Sequence, residues 1–210
     1  SSILTGTGPF VFGTSVFMTL YPTDRLALFI DGANLYSSAR ALNADLDFKK
    51  LVESFRDRAL LTRAYYYTAV VEGEEFSPIR PLIDFLDYNG FRVVTKPVKR
   101  FTDSHGQTRT KGNMDVEIAV DMLELAPHID HAILFSGDGD FRRVVEAVQA
   151  RGVRVTVVST LKLQPPHIAD ELRRQADDFI ELAELIAGFG RPRAPSTPPS
   201  ARTFPLEPET

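Results

Sequence analysis

The 210-residue sequence contains no cysteine. This absence excludes disulfide bonds, thiolate metal ligands and cysteine nucleophiles, so any bound metal ion must be held by oxygen or imidazole ligands. A chain without cysteine is also compatible with a reducing compartment, and we expect the protein to be cytoplasmic.

Several familiar site motifs are missing as well. Four histidines are present, at His105, His128, His131 and His167, and their spacing is not that of a zinc site. The SGDGD segment lacks the GxGxxG and GxxxxGK patterns, which argues against a dinucleotide or nucleoside-triphosphate loop, and no nucleophile elbow occurs. The apolar stretch that ends at Tyr21 has no basic start and is too short and interrupted to span a membrane. We therefore expect no membrane partner.

The composition predicts one compact domain with extensions. Hydrophobic residues make up 43% of the chain and charged residues 25%, which is typical of a globular fold with a sizeable core. We assign residues 1–24 to an N-terminal extension and residues 25–187 to the domain. Six of the fourteen prolines follow Gly190, so residues 188–210 are predicted to form a Pro-rich disordered tail. The net charge of −4 argues against coating of nucleic acid by bulk attraction.

Short apolar runs alternate with helical periodicity along the chain. The predicted strands are residues 26–30, 61–69, 91–95, 131–135 and 153–159. The predicted helices are residues 32–42, 48–58, 78–89, 113–126, 141–151 and 168–187, the last with a break at Asp177 and Asp178. Strands that alternate with helices predict an α/β fold with right-handed crossovers and a mainly parallel sheet, covered on both faces.

Acidic residues follow two of the predicted strands. Asp31 comes directly after residues 26–30, and Asp138 and Asp140 follow residues 131–135 in the segment LFSGDGDF. The carboxyl ends of parallel strands meet at one edge of the sheet, where α/β proteins bind their ligands. Carboxylates gathered at such an edge indicate a divalent cation, because ions such as Mg²⁺ take oxygen ligands from separate elements.

Each of these residues also has a purely structural interpretation. Asp31 can cap the following helix, with Asn34 as an ordinary polar residue of its first turn. In the functional interpretation, Gly32 lets a ligand approach the backbone, and the Asn34 amide donates to a phosphate or a metal-bound water. Asp138 and Asp140 can be capping and turn residues, and for Asp140 taken alone we favour capping.

Asp115 lies on the apolar face of the predicted helix 113–126. Ile118 and Met122 lie within about 80° of it on the helical wheel. An isolated ionised carboxylate among apolar side chains is costly, so a cation or strong donors are expected beside it. The alternative is that Asp115 only faces the free amides and dipole of the first helical turn. Asp121 lies on the polar side of the same helix and is predicted to be a solvated surface acid.

A basic segment leads into this helix. Between residues 92 and 111 it carries six basic residues and one acid, a net charge of +5. The basic residues are Arg92, Lys96, Lys99, Arg100, Arg109 and Lys111, and the acid is Asp103. Such a segment can hold backbone phosphates, with Phe101 or His105 stacked on an unpaired base. A charge run in isolation more commonly indicates a solvated surface, but its position directly before Asp115 favours phosphate binding.

At these residues the chain resembles the NYN-domain family, in particular its LabA-like bacterial branch, a relative of the PIN-type metal-dependent nucleases. The similarity covers roughly residues 25 to 187. It rests on FIDGAN, KG followed shortly by an acid, AVDML, SGDGDF and ADELRRQADDFIEL, in the family's order and approximate spacing. The extra residue in KGNMD departs from the family pattern and changes the expected orientation of Lys111.

The resemblance implies a three-layer α/β/α, PIN-like (Rossmann-like) sandwich with an acidic pocket for Mg²⁺ or Mn²⁺ and ribonuclease activity. The implied catalytic acids are Asp31, Asp115, Asp138 and Asp140, with Asp31, Asp115 and Asp138 as the metal ligands. The implied RNA- and phosphate-binding residues are Asn34, Lys99, Arg100, Arg109 and Lys111. Asp121 also matches an acid of the AVDML-like motif, which conflicts with its place on the helical wheel.

The sequence therefore predicts a ribonuclease that uses Mg²⁺ or Mn²⁺ to hydrolyse phosphodiester bonds of single-stranded or structured RNA. Two other interpretations stay open. One is a module that binds RNA or a regulatory protein without cleavage, and the other is a metal-dependent phosphatase or nucleotidase. Against the second, FIDGAN lacks the aspartate two positions after Asp31 that haloacid-dehalogenase phosphatases use. A homodimer and the number of metal ions are also left open.

Overall fold

The computed structural model describes residues 10–12, 16–18, 20–71, 79–98, 100–102, 108–110 and 112–192. For residues 10–12, 16–18, 100–102, 108–110 and 189–192 only the backbone is described. The strands are β1 (Phe10–Phe12), β2 (Val16–Met18), β3 (Arg25–Asp31), β4 (Ala44–Leu46), β5 (Leu60–Val71), β6 (Arg92–Val98), β7 (Arg100–Thr102), β8 (Thr108–Thr110), β9 (His131–Phe135), β10 (Arg154–Ser159), β11 (Asp178–Glu181) and β12 (Gly190–Pro192).

The helices begin and end close to the predicted positions. They are α1 (Gly32–Ala41), α2 (Phe48–Arg56), α3 (Arg80–Tyr88), α4 (Asp115–Leu125), α5 (Arg142–Gln149), α6 (Asp170–Gln175) and α7 (Leu182–Phe189), with 3-10 turns at Ala126–His128 and Gly139–Phe141. The predicted start of α3 at residue 78 lies outside the described residues. Within the described part, α3 has Pro81 in its first turn, where a missing backbone NH does no harm.

The central sheet has six strands in the order β11-β10-β9-β3-β5-β6, and all of its pairings are parallel. This confirms the predicted parallel α/β fold and all five predicted strands. The sixth strand, β11, is a correction, because residues 168–187 were predicted as a helix with a break at Asp177 and Asp178, and the chain forms a strand after that break. Asp177 ends α6, since its carboxylate accepts from the Val155 NH at 2.7 Å and its own NH donates to the Val155 carbonyl at 2.9 Å. The chain is thereby laid along β10 as an edge strand.

Helices cover both faces of the sheet, which gives the three-layer α/β/α sandwich. One core cluster packs α1, α2, α3 and α7 against one face, with Leu51, Phe55 and Leu86 fully buried. The other packs α4, α5 and α6 against the opposite face, with Ile118 and Met122 fully buried. The apolar face predicted for α4 is therefore confirmed.

The strand order reverses between β3 and β9. From β3 the chain adds β5 and β6 on one side, and then returns to add β9, β10 and β11 on the other. The helices that follow β3 and β9 cover opposite faces, so a crevice opens between them at the carboxyl ends of these strands. In open α/β sheets this reversal is where ligands bind.

Short strands flank the main sheet. β1 pairs with β2 in an antiparallel manner within the predicted N-terminal extension, and β2 lies beside β11. β12 pairs with β4. Residues 193–210, most of the predicted disordered tail, lie outside the described residues. Within the part of the chain that the structure describes, no helix combines the length and apolar character needed to cross a membrane.

Candidate metal centre

Asp31 lies at the strand-order reversal, as the last residue of β3 and the N-cap of α1. Its Oδ1 accepts from the Asn34 NH at 3.2 Å, and its Oδ2 accepts from the Ser136 hydroxyl at 3.2 Å. The side chain points toward the α4 face, because it continues the alternation in which Ala27 and Phe29 face α4. Asp31 therefore caps α1 and joins β3 to the segment after β9.

The loop after β9 is tied to α1 across the crevice. The Gly137 NH donates to the Asn34 Oδ1 at 3.2 Å, and the Asp138 NH donates to the Ser136 Oγ at 3.3 Å. The Asp138 Oδ1 accepts from the Asp140 NH at 3.0 Å and starts the 3-10 turn. The side-chain oxygen of Asn34 thus accepts a hydrogen bond from this loop and is not free for a ligand.

Three aspartates from two distant parts of the chain come together beside this loop. Asp115, Asp138 and Asp140 each place a carboxylate oxygen within 4.8 Å of the other two. Asp115 is the first residue of α4, and the Asn113 side-chain amide donates to its Oδ2. Asp31 is not a member of this group at that distance, but lies close enough for its charge to act on Asp115.

These carboxylates repel one another, and the repulsion contributes to the raised pKa of Asp115. Burial raises the pKa of Asp115 to about 6, and the negative charges of Asp138, Asp31 and Asp140 add to the rise. Burial also raises the pKa of Asp31, against the lowering effect of its hydrogen bonds with Asn34 and Ser136. Among the described residues, no cation therefore offsets the negative charge around Asp115.

These residues fit a hard divalent cation. Carboxylate oxygens from separate elements are the ligands that Mg²⁺ and Mn²⁺ take, and the chain has no cysteine thiolate to offer. A cation held by Asp115, Asp138 and Asp140 would neutralise the repulsion that raises the pKa of Asp115. The cluster is thus suited to a divalent metal ion.

Two structural expectations for single acids need correction. We favoured capping for Asp140 on its own pattern, but Asp138 is the capping residue, and Asp140 contributes its carboxylate to the cluster. Asp121 was predicted to be a solvated surface acid. It is instead partly buried and accepts from the Tyr67 hydroxyl at 2.9 Å, because the long tyrosine side chain reaches from β5 to α4.

Gly32 is needed for packing rather than for access by a ligand. A Cβ at this position would lie 2.6 Å from the Tyr67 carbonyl oxygen and 2.7 Å from the Tyr66 Cζ. The first turn of α1 therefore sits directly on β5. This close approach brings the Tyr66 ring next to Asp31.

Most side chains of the basic segment lie outside the described part of the structure. Lys99 and Lys111 lie outside the described residues, and for Arg100 and Arg109 only the backbone is described, in the antiparallel pair of β7 and β8. Lys96 is described, and its Nζ lies 2.9 Å from the Glu117 Oε1. The basic segment is thus attached to the first turn of α4.

Sequence reasoning missed two residues that orient the acids. Ser136 donates to Asp31 and accepts from the Asp138 NH, and Asn113 donates to Asp115. Both are small polar residues within two positions of an aspartate of the cluster, so proximity in the sequence was an available signal. Their hydrogen bonds fix the directions in which Asp31 and Asp115 point.

The chain is similar in sequence and in structure to known proteins. The family model described as NYN domain matches residues 25–183. The Low amplitude and bright protein LabA of Synechococcus elongatus is 35% identical over 165 residues, which are 77% of this chain and 85% of that protein. The crystal structure of a protein of unknown function from Vibrio parahaemolyticus superposes with a TM-score of 0.66 at 27% identity, over 83% of this chain and 100% of the other.

Proposed function

The chain belongs to the NYN domain family, and on that premise we propose that it is a ribonuclease that requires Mg²⁺ or Mn²⁺. The observation that carries this proposal is the meeting of Asp115, Asp138 and Asp140 within 4.8 Å, beside Asp31, where the strand order reverses. The acids come from elements on both sides of the crevice, so a phosphate bound there has access to all of them.

Each acid has a distinct part in the proposed site. Asp115, Asp138 and Asp140 would hold the metal ion, and Asp31 adds negative charge at its side. An ion held there would supply an activated water and would stabilise the attacking and leaving oxygens of the phosphodiester. Asn113 keeps the Asp115 carboxylate in place, and Ser136 does the same for Asp31.

The basic segment holds the RNA backbone in this proposal. Its charge of +5 contrasts with the net −4 of the whole chain, and its attachment to α4 through Lys96 and Glu117 brings it next to Asp115. The proposed phosphate-binding side chains are Lys99, Arg100, Arg109 and Lys111, with Asn34 on the opposite side of the crevice.

Salt dependence tests this role. Each phosphate contact on single-stranded nucleic acid adds about 0.7 to the negative slope of log K against log salt. Replacing Lys99, Arg100, Arg109 and Lys111 by alanine should therefore flatten the slope for a single-stranded RNA by up to about 3. Fluorescence anisotropy titrations at several salt concentrations measure it. An unchanged slope would place the RNA elsewhere on the surface.

Cleavage itself is tested with Asp115→Asn, which removes one charged ligand but keeps the shape of the side chain. We expect the rate of RNA cleavage with Mn²⁺ or Mg²⁺ to fall on the order of a thousandfold, because several kcal/mol of metal-derived stabilisation is lost. Asp84→Asn, an exposed acid on α3, is the matched control and should cleave like the parent.

Three results would contradict the proposal. Cleavage by Asp115→Asn at the parental rate would show that the cluster is not the reaction centre. Retention of RNA by the parent protein without cleavage in either metal would favour a binding module, and release of inorganic phosphate from a mononucleotide would favour a nucleotidase.

A further inference from the structure

A cavity opens between α1 and α3, and one of its lining residues, Tyr66, lies against Gly32, which follows Asp31. It has a volume of about 470 Å³, which is within the usual range of small-ligand sites. Its lining is largely apolar and includes four aromatic side chains, Tyr36, Phe48, Tyr66 and Phe85. We infer that this aromatic groove binds one unpaired nucleobase of the RNA strand whose phosphate lies at the acidic cluster, an inference that rests on the proposed function.

The exposed aromatic residues at the mouth of the groove suit a flat ring. Tyr36 is 60% exposed and Phe85 is 43% exposed, although both are large apolar side chains that a folded protein normally covers. Bases of single-stranded RNA stack on such side chains with little dependence on sequence. Phe48 packs edge-on against Tyr66, with ring centroids 5.6 Å apart, and both rings line the groove.

The Tyr66 hydroxyl supplies a polar contact within the groove. Tyr66 is only 3% exposed, but its hydroxyl oxygen is not one of the described buried atoms that lack a hydrogen-bond partner. The hydroxyl can both donate and accept, so it can pair with an atom on the edge of a ligand. A nucleobase offers both donors and acceptors on its edge, unlike an aliphatic ligand.

The acids at the rim favour a base over a phosphate. Asp45 is exposed beside the groove and Asp47 caps α2 at its edge. Their negative charges repel phosphate, whereas carboxylates accept hydrogen bonds from the amino groups of bases. The groove therefore complements the base, and the acidic cluster complements a metal-bound phosphate.

The groove comes close to Asp31, whose charge also acts on Asp115 of the acidic cluster. The Tyr66 Cζ lies against Gly32, the residue that follows Asp31, and the charge of Asp31 contributes to raising the pKa of Tyr66. Tyr36 is five residues beyond Asp31, or about 7.5 Å along the helix axis at the usual rise. A base can thus enter the groove while an adjacent phosphate reaches the acids.

Stacking can be measured without cleavage. In an Asp115→Asn background, a short single-stranded RNA with one 2-aminopurine at successive positions reports base stacking as fluorescence quenching. We expect strong quenching at one position, and about tenfold weaker binding in Tyr36→Ala or Phe85→Ala. Tyr66→Phe tests the hydroxyl alone and should weaken binding severalfold. Tyr88→Ala is the control, because Tyr88 is 91% exposed on α3 outside the groove.

The outcomes separate this inference from the proposed function. If the parent cleaves RNA but quenching and binding are the same in Tyr36→Ala, Phe85→Ala and Tyr88→Ala, the groove is not a base site and the ribonuclease proposal stands. If quenching depends on Tyr36 but the parent never cleaves, the base site stands and the hydrolytic proposal fails. A parent dimer that Tyr36→Ala or Phe85→Ala converts to monomer would assign the groove to a second copy and overturn the inference.

Discussion

Asp31 and Asp138 show that capping a helix and belonging to a charged site are compatible tasks for one carboxylate. An ionised carboxylate has two oxygens and about four lone-pair positions, and a cap uses one of them. Asp138 accepts the Asp140 NH with Oδ1 while an oxygen of its carboxylate lies in the acidic group. The structural and functional interpretations of these residues were therefore never exclusive, and only the neighbours of the second oxygen distinguish them.

The sequence predicts the positions of these acids better than it predicts long-range side-chain contacts. Asp31, Asp138 and Asp140 follow apolar runs, and strand ends in a parallel sheet share an edge, so their proximity follows from the pattern. The Tyr67–Asp121 hydrogen bond joins residues 54 positions apart, and no periodicity within either segment indicates it. Contacts of this kind depend on side-chain length and on the packing of two layers.

His131 provides a test of burial at the scale of one residue. It is fully buried at the start of β9, with its Nε2 2.7 Å from the Thr156 Oγ1 and its Nδ1 3.0 Å from an Arg154 nitrogen. Because arginine can only donate, Nδ1 is the acceptor and the ring is neutral. Burial, together with the charge of Arg154, lowers the pKa of His131 to about 3.

The contribution of His131 to the stability of the protein should therefore fall in mild acid. In the unfolded chain His131 is protonated near pH 6.5, whereas in the folded chain it is protonated only near pH 3. The stability that it contributes above pH 6.5 is therefore lost as the pH falls. Between pH 6.5 and 4.5 the parent should lose roughly 2 kcal/mol more than His131→Gln does. Urea unfolding at both pH values measures this. Equal losses in the two proteins would mean that His131 is protonated in the folded state.

At the scale of elements, the limits of sequence-based prediction lie at the end of the chain. The five predicted strands are confirmed, and β3, β9 and β10 are buried over almost their whole length. β11 is short, with the sequence DFIE, and only Ile180 in it is buried. Four residues are too few to display a period, so the sequence predicted a break in the helix at Asp177 and Asp178 but not the strand that follows Asp177. The strand exists because β10 offers an open edge.

The loop after β9 tests how tightly two elements hold the site. A Cβ at Gly137 would lie 1.6 Å from the His167 carbonyl oxygen, in the segment between β10 and α6. Gly137→Ala must therefore displace one of these two segments, and we expect a loss of about 3 kcal/mol in the free energy of unfolding.

Gly152→Ala is the comparison for this change. Gly152 has a φ of +83° with no atom within 4 Å of an added Cβ, so its substitution introduces backbone strain alone, about 1 kcal/mol. Chemical denaturation of both variants gives the difference. If Gly137→Ala were the milder change, the loop would be free to move, and the positions of Asp138 and Asp140 would not be fixed by packing.

At the scale of the whole molecule, the acidic cluster joins parts that otherwise belong to different layers. Asp115 begins α4, Asp138 follows the central strand β9, and Asp31 caps α1 on the opposite face. Without a cation, their repulsion opposes the docking of these elements. The raised pKa of Asp115 gives the sign, since the folded chain keeps a proton up to about pH 6 that the unfolded chain releases near 3.8, so stability falls as the pH rises through that window.

Metal binding should consequently stabilise the entire fold at neutral pH. At a metal concentration of 100 times Kd the parent should gain about 2.7 kcal/mol in the free energy of unfolding. Asp115→Asn should gain much less. Without metal this variant should be more stable than the parent at pH 7.5 by on the order of 1 kcal/mol, a value reduced by the partial exposure of the site.

Asp84→Asn should behave like the parent, because its carboxylate is exposed on α3. Urea unfolding with EDTA or with Mn²⁺ measures these differences, and the slope against urea should stay constant because all layers unfold together. An Asp115→Asn protein that is less stable than the parent in EDTA and equally stabilised by Mn²⁺ would show that the carboxylates neither repel one another nor bind the ion.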